Sequence, residues 1–264
     1  MFNYRESVAF DDIPVLAMDE LCASAADRCR RGWRLLAFFG VPAPQGTEVV
    51  CILADPSARL LDAMRARPGR SYSALTPQCP QAHLFERELF ETWGIRPEGH
   101  PWLKPVRYTT PASGTERPGP AQCDHYRVEG GQVHEVAVGP VHAGIIEPGH
   151  FRFQCYGENV LNLEISLGFQ HRGVEKMLAG GPHLRDAALM ECVAGDTSVG
   201  HCTAYSVVLE RLAGVSVPLR AQLLRRMGLE FERLANHTGD LGAIAGDTGF
   251  LPTSSWNGRI RGDF

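Results

Sequence analysis

The residues best placed to do chemistry lie in the second half of the chain. The run Glu191-Cys-Val-Ala-Gly-Asp-Thr-Ser-Val-Gly-His201 gathers carboxylates, hydroxyls, a thiol and an imidazole in one short stretch. Upstream, Glu147 stands between Ile146 and Pro148, where loss of water would raise its pKa toward neutrality and suit it to proton relay. The other reading of Glu147 is a strand-end carboxylate bonded to backbone amides. His142, His171, Arg172 and His201 either form one polar cluster that senses a neighbouring charge or stand apart as hydrogen-bonded packing residues. Asp196 and Thr197 are open to two readings as well: a proton-conducting turn, or the cap of a helix that starts there, since both side chains accept from free amides.

The elements that must position these groups fall into two blocks. Leu21, Cys22, Ala25, Ala26 and Cys29 recur at helical spacing between Asp19 and Arg31, and apolar runs follow at Leu35 to Val41 and Val49 to Leu53. Pro42 to Gly46 reads as the connector between two strands. A second helix is expected from about Gln81 to Trp93, with Ala82, Phe85, Leu89 and Trp93 on its apolar stripe and Glu86, Arg87 and Glu91 outside it. The Pro-, Gly-, Ser- and Thr-rich stretch 109–123 reads as a linker. The domains expected are therefore 1–108 and 124–264.

Beyond the linker, His134 to Val138, His150 to Tyr156 and Val160 to Leu167 read as strands. In the last, Leu161, Leu163, Ile165 and Leu167 alternate with Asn162, Glu164 and Ser166. Helices are expected at His183 to Val193, Gly200 to Ala213 and Pro218 to about Asn236. The third carries Leu219, Leu223, Met227, Phe231 and Leu234 on one face, with Arg225 and Glu232 on the solvated side. So few helices rarely close a core, which suggests a chain incomplete at its C-terminus. The class predicted is α+β: an α/β module, then a small antiparallel sheet and the first helices of a bundle.

Composition narrows the function. With 264 residues, 44% hydrophobic and 21% charged, the chain is long enough for two cored domains. A net charge of -4 with no basic stripe argues against nucleic acid as a partner. No apolar run is long enough for a membrane helix, and the start lacks a signal peptide's pattern, so a cytoplasmic location is expected. Eight cysteines without a C-x-x-C pair suggest reduced, mostly buried thiols.

Two blocks carry a family resemblance. Phe85-Glu-Arg-Glu-Leu-Phe-Glu-Thr-Trp-Gly-Ile-Arg-Pro-Glu-Gly-His-Pro-Trp-Leu103 resembles the signature of the 30-kilodalton-type subunit of respiratory complex I. Gly139-Pro-Val-His-Ala-Gly-Ile-Ile-Glu-Pro-Gly-His-Phe-Arg-Phe153, with Leu167-Gly-Phe-Gln-His-Arg-Gly-Val-Glu-Lys176, resembles the start of the 49-kilodalton-type subunit. It is closer still to the large subunit of formate hydrogenlyase and other energy-converting nickel-iron hydrogenases, where the two modules are fused in this order.

That resemblance implies a peripheral subunit on the cytoplasmic face of the inner membrane, assembled with an iron-sulfur small subunit and membrane-embedded ion-translocating subunits. It implies that Glu147 matches a proton-relay glutamate beside nickel. Aligned on Glu191, Gly195 and His201, the first two nickel-ligand positions fall at Ala194 and Thr197. A methyl offers no donor, and a neutral hydroxyl is a poor bridge between soft metals. Cys192 and Cys202 lie out of register, so the expectation is no metal site and no nickel-iron centre. The groups that complex I uses for a quinone headgroup fall at Ile146 and Gly195, neither of which hydrogen-bonds a carbonyl through its side chain. Quinone or NAD enters by resemblance alone. The function expected is electron or proton coupling and assembly within an oxidoreductase complex, the alternative being a quinone-reducing subunit or a hydrogenase with displaced ligands.

Overall fold

The computed structural model describes residues 1–4, 6–108, 124–141 and 148–264. They divide into two compact units, Met1–His171 and Arg172–Phe264. The expected linker 109–123 lies outside the described residues.

The first unit contains β1 (Phe2–Asn3), β2 (Val15–Leu16), α1 (Met18–Arg30), β3 (Arg34–Ala43), β4 (Gly46–Asp55) and β5 (Leu60–Ala66). The antiparallel strands β3, β4 and β5 lie in the order β1-β5-β4-β3, with β2 running parallel to β5. Helix α1 has Asp19 and Glu20 in its first turn and Arg28 and Arg30 in its last, both favourable to the helix dipole. Its Leu21, Cys22, Ala25 and Ala26 are buried in one core with Phe38, Val49 and Leu53 of the sheet.

Two strand expectations change. Pairing continues through Pro42↔Thr47 to Ala43↔Gly46, so the connector shrinks to Pro44-Gln45. Proline is tolerated there because β3 is an edge strand. Strand β5 was not anticipated, because Asp62 and Arg65 interrupt its apolar pattern. Both are buried, Asp62 against Arg28 at 2.5 Å and Arg65 against Glu48 at 3.0 Å.

Next come β6 (Ser71–Ser73), α2 (His83–Trp93) and β7 (Arg96–Glu98), with β6 and β7 parallel. Helix α2 stops at Gly94, whose left-handed φ of 74° favours glycine. Trp93 lies flat on β3: a Cβ at Gly40 would sit 2.5 Å from its Nε1. Glu86, Arg87 and Glu91, expected outside the apolar stripe, are all buried. Glu86 accepts from the Leu75 amide (2.7 Å), the Thr76 amide (2.8 Å) and the Thr76 hydroxyl (2.5 Å). Arg87 donates to the carbonyls of Lys104 and Pro105, and Glu91 accepts from the amides of Val106 and Arg107. The charged motif thus fastens two loops whose backbone groups have lost water.

Strands β8 (Val133–Val138), β9 (His150–Tyr156) and β10 (Asn159–Ser166) form an antiparallel sheet in the order β10-β9-β8. The strands fall where the alternation put them, but the sheet faces the opposite way to the usual pattern. Glu164 is 3% exposed and Gln154 4%, whereas Leu161, Leu163, Ile165, Val136 and Val138 are 40–50% exposed. The polar face is the covered one: Glu164 takes the Lys104 ammonium (2.6 Å), His125 (3.3 Å) and the Tyr126 amide (3.0 Å), while Gln154 donates to Glu135 (2.6 Å).

The second unit is helical: α3 (Val174–Leu178), α4 (Asp186–Glu191), α5 (Ser198–Leu212), α6 (Leu219–Asp247) and α7 (Leu251–Arg261). Helix α4 is shorter than the expected His183 to Val193, and α6 runs well past Asn236. Gly239, Gly242 and Gly246 look like helix breakers but instead admit α7. A Cβ at Gly242 would meet Asn257 Cβ at 3.1 Å, and one at Gly246 would meet Ser254 Oγ at 3.3 Å. Leu219, Leu223, Met227, Phe231 and Leu234 are 45–70% exposed.

Candidate functional site

The Ala194–Thr197 turn joins α4 to α5, with Gly195–Thr197 in a short 3-10 turn. Each of its four carbonyls has a protein donor. Ala194 O accepts from the Thr197 amide (2.9 Å), and Gly195 O from the Ser198 hydroxyl (3.1 Å). Asp196 O accepts from the Asn236 side-chain amide (2.7 Å), and Thr197 O from His201 Nδ1 (2.9 Å). The last contact requires the proton of His201 on Nδ1.

The amides that start α5 are satisfied from the neighbouring helix. Glu232 of α6 accepts from Val199 N (2.7 Å) and Gly200 N (3.1 Å). Thr197 occupies the N-cap position but makes no side-chain cap bond, so the cap expected from Asp196 or Thr197 is corrected to Glu232. A Cβ at Gly200 would come 2.7 Å from Thr197 Cγ2 and 3.3 Å from Glu232 Oε2, which explains a glycine in that turn. The Asp196 carboxylate instead receives Arg261 Nη2 of α7 at 2.8 Å.

Helices α5 and α6 are tied by Arg225 and Glu210, paired through two hydrogen bonds of 3.0 and 2.5 Å. The Arg225 guanidinium lowers the Glu210 pKa, and Glu210 in turn raises that of Arg225. Neither Arg225 nor Glu232 is therefore a simply solvated group. Beneath α5, buried Asp186 accepts from His183 N (2.8 Å) and the Tyr205 hydroxyl (3.1 Å), and the His183 amide leads in holding its pKa down.

The expected polar cluster does not assemble among the described residues. His171 belongs to the first unit and is exposed, and its amide bonds to Gly168 O. In the second unit, Arg172 Nη2 donates to Val193 O (2.9 Å) and His201 is engaged with Thr197 O. His142, Ile146 and Glu147 lie outside the described residues.

The donor set does not fit a thiolate-held metal pair. Ala194 has no donor, Thr197 offers only a hydroxyl, and among the described residues no three His, Cys, Asp or Glu side chains gather to hold a metal ion. Cys192 is exposed at the end of α4, and Cys202 lies within α5. In the first unit Cys22, Cys51 and Cys79 are buried free thiols. Burial pushes Cys22 up to about 12 and Cys29, half-buried, to about 12 as well, so both stay protonated.

Glu232, Asn236, Gly239 and Arg261 escaped the sequence reading. The first three stand at i, i+4 and i+7, one face of a helix, and that spacing was the available signal.

The first unit has the makings of a complex I-type peripheral module. Residues 17–121 match the family model described as respiratory-chain NADH dehydrogenase, 30 Kd subunit. Formate hydrogenlyase subunit 5 of Escherichia coli (strain K12) is 34% identical over 198 residues, 68% of this chain and 35% of that protein. Hydrogenase-4 component G of the same organism is 31% identical over 205 residues, 69% of this chain and 37% of that one. The fused C/D-type NADH-quinone oxidoreductase protein of Bdellovibrio bacteriovorus is 28% identical over 218 residues, covering 74% and 38%. The chain is thus related to hydrogenase and complex I-type large subunits and carries their 30 kDa-type domain. It spans just over a third of the length of those relatives. No helix among the described residues is long and apolar enough to cross a membrane.

Proposed function

We propose that this chain is a hydrogenase-like subunit of a membrane-associated oxidoreductase complex that serves coupling and assembly without turning over hydrogen at a nickel-iron centre. Its relatives include proteins named as formate hydrogenlyase, membrane-bound hydrogenase and NADH-quinone oxidoreductase subunits. An iron-sulfur subunit and membrane-embedded subunits are the partners proposed. The observation that carries the reading is the closed Ala194–Thr197 turn. A metal loop needs side chains turned toward a shared centre, whereas this one has its four carbonyls, the amides after it and its one carboxylate engaged by Asn236, His201, Ser198, Glu232 and Arg261.

Metal analysis of the intact complex, with hydrogen-dependent dye reduction, tests the proposal. Nickel well below one atom per chain and no dye reduction are expected. Stoichiometric nickel with turnover overturns it and returns the displaced-ligand reading, in which Cys192 or Cys202 supplies the thiolate.

A further inference from the structure

We infer that Arg261 positions the Ala194–Thr197 turn, acting as a latch that makes the last turn of α7 the cross-link a metal would otherwise supply. The inference deepens the proposed function and rests on its reading that protein groups close this turn.

Two geometric facts support it. Arg261 Nη2 lies 2.8 Å from Asp196 Oδ1 across a separation of 65 residues. On the way the side chain crosses α6 at Gly239, where an added Cβ would lie 2.9 Å from Nη1, 3.2 Å from Cζ and 3.3 Å from Cδ. Glycine at 239 is therefore the seat over which the guanidinium reaches the turn.

The same α6 face supplies Asn236 to Asp196 O and Glu232 to the start of α5. The turn is held by α6 through fixed short side chains and by α7 through one long side chain. Both members of the ion pair are half-exposed or more, at 47% for Arg261 and 75% for Asp196. Water and salt compete for such a pair, so the contact is reversible in a way that the Glu232 cap is not. When α7 and α6 separate at this end, Asp196 loses its only cation among the described contacts.

Hydrogen exchange of the 193–200 segment, measured on the full chain, tests the latch. Arg261→Gln, Asp196→Asn and Gly239→Ala are each expected to speed exchange there by about threefold to fivefold, the range of a half-exposed ion pair. Gly239→Ala keeps both charges and displaces only the guanidinium, which separates position from net charge. The double variant Asp196→Asn with Arg261→Gln is expected to exchange no faster than either single, and the swap Asp196→Arg with Arg261→Asp to restore protection. Unchanged exchange in Arg261→Gln, or additive effects in the double variant, overturns the latch. Nickel found in the complex while these effects persist would overturn the proposed function and leave the latch standing.

Discussion

Removing the Glu232 carboxylate should loosen the start of α5 while leaving the rest of the helix intact. Glu232 accepts two amide hydrogen bonds, at 2.7 and 3.1 Å, from groups that have no partner within their own helix. A buried pair of orphaned amides would cost several kcal/mol, but Glu232 is only half-buried and water can reach the freed groups. The cost is therefore that of losing a helix cap, about 1 to 2 kcal/mol for Glu232→Ala. Glu232→Gln keeps one acceptor oxygen and should lose about half of that. Such losses speed local opening by about 5- to 30-fold. Hydrogen exchange at Val199 and Gly200 reads this directly, with α6 amides as the internal reference. Thr197→Ala should change nothing at these two amides, because the Thr197 side chain makes no cap bond. Exchange in Glu232→Ala within twofold of wild type, or fast exchange in Thr197→Ala, would refute the assignment of the cap.

Two further outcomes are expected in the first unit. Gly40→Ala should destabilise the chain by about 1 to 3 kcal/mol, because the new methyl meets the Trp93 indole at 2.5 Å and the ring must leave its seat on β3; urea unfolding followed by tryptophan fluorescence checks this. For Glu164, burial works to raise the pKa, but the Lys104 ammonium, the Tyr126 amide and His125 together hold it below the usual carboxylate range. A carboxyl depressed in the fold stabilises it fully above its unfolded value and ceases to do so as pH falls through the folded value. Acid titration of stability should therefore show a loss below the ordinary glutamate range that Glu164→Gln flattens, and an unaltered profile in that variant would sink the idea.

Local pattern revealed most of the elements, because helical and strand periodicity survive in α1, α2, α5 and β8 to β10. What pattern could not reveal was which side of an element faces inward. Glu86, Arg87 and Glu91 read as solvent-facing by type, yet each is buried because a loop nearby needs donors or acceptors for its backbone. Strand β5 was hidden for the same reason, since its charges are matched by Arg28 and Glu48, residues distant in sequence. At the candidate site, the substitution of Ala194 and Thr197 for thiolate positions was readable by resemblance alone. The partners of the turn were not, because Asn236 and Arg261 reach it across 40 and 65 residues. Gly239 read as a helix stop, when its missing side chain is what lets α7 reach the turn.

The outward oil-side of the β8–β10 sheet has a practical meaning for handling the protein. Turning the strands over would bury Leu163 and Ile165 but expose Glu164 and Gln154 only by breaking the bonds to Lys104, Tyr126 and Glu135, so the orientation is locked. A chain made without companions should then bind a fluorescent apolar dye while still natively folded and become sticky at high salt. A charge introduced at Leu163 should improve its yield in isolation and impair its recovery with the complex.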